Sequence, residues 1–237
     1  MFIQGFVTPV PTANRDAFVE HSRKASALIR EFGATRIVDT WGDDIPDGKI
    51  NDFKTAVKAT PEETVSFGWM EFADKAASDA CFEKMMSDPR MEEIGEMPFD
   101  GKRMIFGGFE ALMDEQVAGK PGYVEGFIIA VPSDKREVFR DFALAGWPVF
   151  RDAGVLRQVE AWGVDVPDGN VTDFRKAVLA NPDESVVFAF LEWRSKEERD
   201  VGMKAVMEDD RMKDMPPDMP FDGRRMIFGG FEVLPTT

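Results

Sequence analysis

The chain has 237 residues, enough for one large domain or two small ones, and its 43% hydrophobic content is that of a globular protein able to bury a core. A net charge of −15 repels phosphate backbones and anionic bilayers, which excludes nucleic acid and a membrane surface as expected partners. The single cysteine, Cys81, excludes an intrachain disulfide and a cysteine zinc cluster. In chain order, residues 2–9 read as a strand around Gly5, ended by Pro9 and Pro11. Phe18, His21, Ala25, Leu28 and Phe32 then recur at spacings of three and four, one face of a helix, with Gly33 as its cap. A second strand is expected over 34–41, followed by a loop rich in Asp, Pro and Gly. TVSFGWMEF (64–72) reads as a buried strand, 74–88 as a helix ending near Pro89, and 102–113 as a last strand.

The same order then begins again. WGDDIPDGKINDFKTAVKATPEE, from Trp41, returns as WGVDVPDGNVTDFRKAVLANPDE, from Trp162, and MPFDGKRMIFGGFE, from Met97, returns as MPFDGRRMIFGGFE, from Met219. The expected organisation is a repeat over 1–115, a polar, Gly- and Pro-containing linker over 116–121, and a second repeat over 122–237. Each repeat has the order βαββαβ, the ferredoxin-like split βαβ unit, in which helices cover one face of a four-stranded sheet and leave the other apolar. Two such sheets in one chain can pack bare face on bare face and enclose a barrel-like interior. The fold class is therefore α+β, an intramolecular pseudo-dimeric α/β barrel, with further self-association of the fused unit left open. No apolar run approaches the ~20 residues of a bilayer span, and MFIQGFVTPV lacks the basic and apolar regions of a secretion signal, so the cytoplasm is the expected compartment.

The run GFV at 5–7, the WGDDIPDG loop and MPFDGKRMIFGGFE resemble the YbaA-like bacterial family of unknown function, of the dimeric α/β-barrel superfamily. The motifs stand in both copies, so the resemblance covers nearly the whole chain. Members of that family are usually a single copy, which implies that a homodimer has become a pseudo-dimer here. The wider superfamily includes cofactor-independent monooxygenases, small isomerases and ligand-binding proteins, and fold alone does not choose among them.

Comparison of the copies acts as a filter on candidate residues. His21, the lone histidine, faces Phe142 in the alignment of repeats, and Cys81 faces Gly202; both read as packed helical residues. Asp44, Asp47 and Asp52, with Asp165, Asp168 and Asp173, could offer oxygen ligands to a divalent cation, but Pro-Asp-Gly is a strong turn signal and no EF-hand spacing is present. Gly107-Gly108 and Gly229-Gly230 mark a bulge or the close approach of another strand. The remaining candidates are polar or aromatic side chains on apolar strands: Gln4 and Glu125, Arg36 and Arg157, Trp41 and Trp162, Glu71 and Glu192, Arg103 and Arg225. Arg36 with Glu71 fits a structural ion pair as well as a pocket wall, and Trp41 with Trp162 fits a barrel plug as well as a cavity mouth.

No Ser-His pair, P-loop, histidine ligand set or cofactor motif is present in the sequence. The expectation is a small organic molecule bound inside the barrel, with oxygenase or isomerase chemistry that needs confinement and no bound cofactor. The alternative is a non-catalytic protein-interaction module with a solid barrel. A packed interior would remove the interior ligand site.

Overall fold

A computed structural model describes residues 1–213 and 219–235. The first repeat runs β1 (Phe2–Pro11), α1 (Arg15–Phe32), β2 (Arg36–Val38), β3 (Thr40–Asp44), α2 (Phe53–Ala56), β4 (Glu63–Phe72), α3 (Lys75–Ser87) and β5 (Ile105–Gln116). The second runs β6 (Tyr123–Pro132), α4 (Arg136–Asp152), β7 (Arg157–Asp165), α5 (Phe174–Ala177), β8 (Glu184–Trp193), α6 (Lys196–Glu208), α7 (Asp210–Lys213) and β9 (Ile227–Val233). Helices α3 and α2 start where the sequence supplies a cap: Asp74 accepts from the Ala77 amide at 2.8 Å and Asp52 from the Thr55 amide at 2.6 Å.

The strand order is β2-β4-β1-β5-β7-β8-β6-β9-β3, antiparallel throughout. Only Asp39 separates β2 from β3, so the segment pairing with β4 at one edge continues into the strand pairing with β9 at the other. The sheet thereby nearly closes into a barrel, the β2–β3 segment linking its two ends. The two repeats are thus joined along their edges by β5–β7 and β3–β9 ladders, in addition to the expected contact of their bare faces.

Three boundaries differ from the sequence reading. β1 continues through Pro9 to Pro11, because β5 pairs with it only as far as Val7 and the prolines lie where the strand has one neighbour. The second strand breaks at Asp39, where pairing passes from one repeat to the other, and Thr40 Oγ1 holds the break by donating to the Phe67 carbonyl at 2.6 Å. The β5–β7 ladder extends to Gln116, so the tether between strands is residues 117–122.

Aromatic rings fill the barrel. Phe67 and Phe188 stack across the repeats at 4.4 Å, Trp69 and Phe190 at 4.0 Å, while Phe53 and Phe174 enter from α2 and α5, edge-on to Phe231 and Phe109. All of these rings are buried. The Phe67–Phe188 stack requires glycine beneath it, since a Cβ at Gly5 would stand 2.6 Å from the Phe188 ring and one at Gly126 3.0 Å from Phe67. The other glycine pair serves the joint: β5 shifts register against β7 between Gly108 and Phe109, and a Cβ on Gly107 would touch Phe174 at 3.3 Å. This packing overturns the expectation of a ligand inside the barrel. The open spaces lie elsewhere.

Candidate functional site

At one end of the barrel, four of the expected residues meet around the pseudo-twofold axis. Arg157 Nη1 donates to Glu71 Oε1 at 2.7 Å, and Arg36 reaches Glu71 at 3.2 Å and grips Glu192 through both of its terminal nitrogens. Each repeat's arginine thus holds the other repeat's glutamate. Trp69 Nε1 adds a 2.9 Å bond to Glu71, and Asp114 takes Arg157 Nε at 2.7 Å. Burial works against charge on Arg157, yet bonds from Asp114 and Glu71 keep it firmly protonated. Burial raises the Glu192 carboxyl above the usual range, with Arg36 opposing. The cluster lines an open cleft of about 520 Å³, closed on one side by the tether. Its charged groups find partners within the cluster, as buried ions must. It is a clasp between repeats.

A second space, about 460 Å³, lies on the opposite face of the sheet, under the helices of the first repeat. In β1, Ile3 and Val7 point into the barrel, so Gln4, Phe6 and Thr8 point outward beneath α1 and α3. Ile37 and Asp39 continue that wall, and α1 roofs it with Phe18, His21, Ser22, Ala25, Ser26 and Ile29. Methionines 70, 85, 91, 97 and 104 and the rings of Phe82, Phe99 and Phe106 complete an apolar lining. Size and lining match a small-molecule pocket, in which a few polar groups orient a largely apolar guest. Methionine side chains let such a wall adapt.

Two acid–base groups occupy this cavity. His21 is half-buried, its Nδ1 has no hydrogen-bond partner among the described residues, and its ring stands edge-on to Phe99 at 6.2 Å. Burial, then the charge of Lys24, lowers its pKa, so the imidazole is neutral at pH 7 and can accept a proton. Asp39 is buried on the sheet wall at the strand break. Gln4 donates from Nε2 to Ser78 Oγ at 3.3 Å.

The equivalent space in the second repeat measures about 150 Å³. Phe142 replaces His21, Trp147 replaces Ser26 and Phe150 replaces Ile29, so larger rings occupy the volume. Glu160 stands in the place of Asp39 and accepts from Gln158 at 3.0 Å, its carboxyl pushed up to about 7 by burial. Glu125, in the place of Gln4, is also buried and pushed up to about 7, with Arg199, in the place of Ser78, 3.8 Å away and opposing the shift.

The other expected residues hold structure. Trp41 packs on Phe18 at 6.1 Å under Arg15, and Trp162 is buried with Ile129, Phe139 and Val187; both lie on the outer face of the sheet and neither plugs the barrel. Arg103 pairs with Glu63 at 2.7 Å and Arg225 with Glu184 at 2.6 Å, pinning the start of β4 and β8. Asp44 binds Arg199 at 2.6 Å, Asp47 binds Lys54 at 2.8 Å, Asp165 binds Lys75 at 3.2 Å, and Asp168 is exposed. Asp52 and Asp173 cap α2 and α5, which is the turn role. Among the described residues no group of three or more His, Cys, Asp and Glu is placed to hold a metal ion. Cys81 is buried in the helix–sheet core, its thiol raised by burial. Asp39 and His21, which line the cavity, are the residues that sequence reasoning set aside or passed over. A signal for Asp39 was present, an acid on an apolar strand in both copies.

The family described as "Protein of unknown function (DUF1428)" matches residues 1–101 and again 122–223. The chain belongs to that family. Over 115 residues, 48% of this chain and 98% of the relative, it is 56% identical to "Uncharacterized protein YbaA" of Escherichia coli K12, with the same identity to the Shigella flexneri protein. Two crystal structures described as "putative monooxygenase" share the fold. The Lactobacillus acidophilus protein has a TM-score of 0.55 at 11% identity, over 100% of this chain and 94% of that one. The Fusobacterium nucleatum protein has a TM-score of 0.50 at 11% identity, over 98% and 92%.

Proposed function

We propose that the helix–sheet cavity of the first repeat binds a small, flat, mostly apolar organic molecule and that its chemistry is proton abstraction followed by reaction with dioxygen. The observation that carries this reading is an apolar space of about 460 Å³ lined by a neutral, half-buried imidazole and a buried aspartic side chain. Removal of a proton from an activated CH₂ by His21 or Asp39 leaves an electron-rich carbanion. Dioxygen from solution oxidises it, one oxygen atom forming the new carbonyl and the other leaving as water. The sequence offers no nicotinamide or flavin fingerprint, and a substrate that reduces oxygen itself needs none. The two structural neighbours are each described as a "putative monooxygenase".

The test has two arms. Titration of the full chain with 1-naphthol is expected to raise the melting temperature saturably, by roughly 5–10 °C at a hundredfold excess over Kd, and Ser22→Leu, which fills the cavity, is expected to abolish the shift. Oxygen uptake is then followed with hydroxyaromatic and activated-methylene substrates, against Asp39→Asn and His21→Phe. No saturable shift with any flat aromatic would end the binding reading; binding without oxygen uptake would end the oxygenase reading alone.

A further inference from the structure

The small cavity of the second repeat carries two unmet polar atoms. Glu160 Oε2 and Gln158 Oε1 are both buried without a hydrogen-bond partner among the described residues, although the two side chains are joined to each other at 3.0 Å. Their residues are 8% and 3% exposed, and both line the space of about 150 Å³ under α4. A buried oxygen that has given up water and gained nothing is costly, and it is satisfied when a donor is brought to it. The rest of the lining is apolar and strongly aromatic: Phe139 and Phe142 both stand edge-on to Phe221, at 5.8 and 6.2 Å, with Ile129 and Leu191 on the sheet side. An apolar cavity of roughly 150 Å³ is the size that admits one benzene ring.

We propose that this cavity is a second binding site, distinct from that of the first repeat, for a single-ring molecule with one hydrogen-bond-donating head group, of the phenol or aniline class. The ring fills the aromatic enclosure and the neutral O–H or N–H donates to the free oxygens of Gln158 and Glu160. An anionic head is disfavoured because Gln158 Oε1 and an ionised Glu160 would face it with no cation between them. The second site is independent of what the first cavity binds. One chain then holds two unlike sites where a symmetric dimer would hold two alike.

Phenol and toluene are the probes, equal in size and different in the donor alone. Methyl NMR of the full wild-type chain distinguishes the cavities without mutation, since Ile129 and Leu191 line the second and Ile29 and Ile37 line the first. Phenol is expected to shift Ile129 and Leu191 saturably, with toluene at least roughly tenfold weaker, because a site that hydrogen-bonds a hydroxyl rejects the analogue lacking it. Ala143→Leu, filling the second cavity, is expected to abolish the shift, and Ser22→Leu, its counterpart in the first, to leave it. Replacing both acceptors, Gln158→Leu together with Glu160→Leu, is expected to bring phenol and toluene to equal affinity. Shifts confined to Ile29 and Ile37, equal affinity for the two probes in the wild type, or no saturable shift, as when water alone holds the two oxygens, would each overturn the proposal. Loss of 1-naphthol binding in the first cavity would leave it standing.

Discussion

Replacing Glu71 with alanine tests whether the cluster at the barrel end is a clasp. In the native chain this carboxylate accepts from Trp69 Nε1, from Arg36 and from two nitrogens of Arg157, all within 3.3 Å. Its removal leaves the Trp69 N–H buried without an acceptor and strips Arg157 of one of two acidic partners. Breaking a buried pair from one side costs about 3–5 kcal/mol. Asp114 remains on Arg157 at 2.7 and 3.0 Å, and Glu192 remains on Arg36, so the lower end applies, about 3 kcal/mol. For a chain of this length that is a fall of roughly 6–12 °C in melting temperature. The pseudo-equivalent Glu192→Ala removes acceptors from Arg36 alone, whose side chain is 29% exposed and can turn to water, so about 1–2 kcal/mol is expected. Urea and thermal unfolding followed by tryptophan fluorescence measure both. An unchanged urea slope would show that the cooperative unit is intact. Equal losses, or a larger loss at Glu192, would refute the assignment of Glu71 as the hub.

Three further outcomes follow from the same structure. Glu125 and Glu160, pushed up to about 7, bind their protons more tightly folded than unfolded. Their contribution is therefore fully present below about pH 4.5 and lost as pH rises through 7, roughly 3 kcal/mol each at most. His21, lowered by burial, acts in the opposite sense, so the measurement is the difference in pH-stability curves between the wild type and Glu125→Gln or Glu160→Gln, which are expected to be flatter between pH 5 and 8. Gly5→Ala places a methyl 2.6 Å from the Phe188 ring and is expected to cost more than Gly126→Ala, whose methyl stands 3.0 Å from Phe67; the first is worth about 1–3 kcal/mol by urea denaturation. His21→Phe copies the second repeat into the first, and calorimetry is expected to show at least roughly tenfold weaker 1-naphthol binding with an unchanged melting temperature.

The barrel was legible in the sequence because the repeat declares it: two βαββαβ units in one chain leave two apolar faces, and each face is the other's cover. The Arg36–Glu71 pair was legible too, as an opposite charge on neighbouring strands. Period-2 alternation correctly put Gln4 on one face with Phe2 and Phe6, but alternation alone does not say which face looks into the barrel and which lies under the helices. Sequence alone therefore does not separate Gln4 from Arg36, which belong to the helix side of the sheet and to the barrel end. The filling of the interior was also invisible, because it depends on Phe53 and Phe174, which reach the barrel from loops that read as solvent turns. His21 was set aside because Phe142 replaces it, on the premise that a working feature must stand in both copies.

That premise fails for a physical reason. The clasp sits on the pseudo-twofold axis, so Arg36 with Glu192 and Arg157 with Glu71 are each shared between repeats, and a change on one side strands a buried charge on the other. Matching there is enforced by stability. The helix–sheet cavities are each built within one repeat, and once two copies share a chain nothing couples one cavity's lining to the other's. His21 against Phe142 and Ser26 against Trp147 are such independent positions, whereas Arg199, in the place of Ser78, binds Asp44 of the other repeat. In a fused pseudo-dimer, a residue shared across the axis is held to match its counterpart, and a residue that packs within one repeat is free to differ.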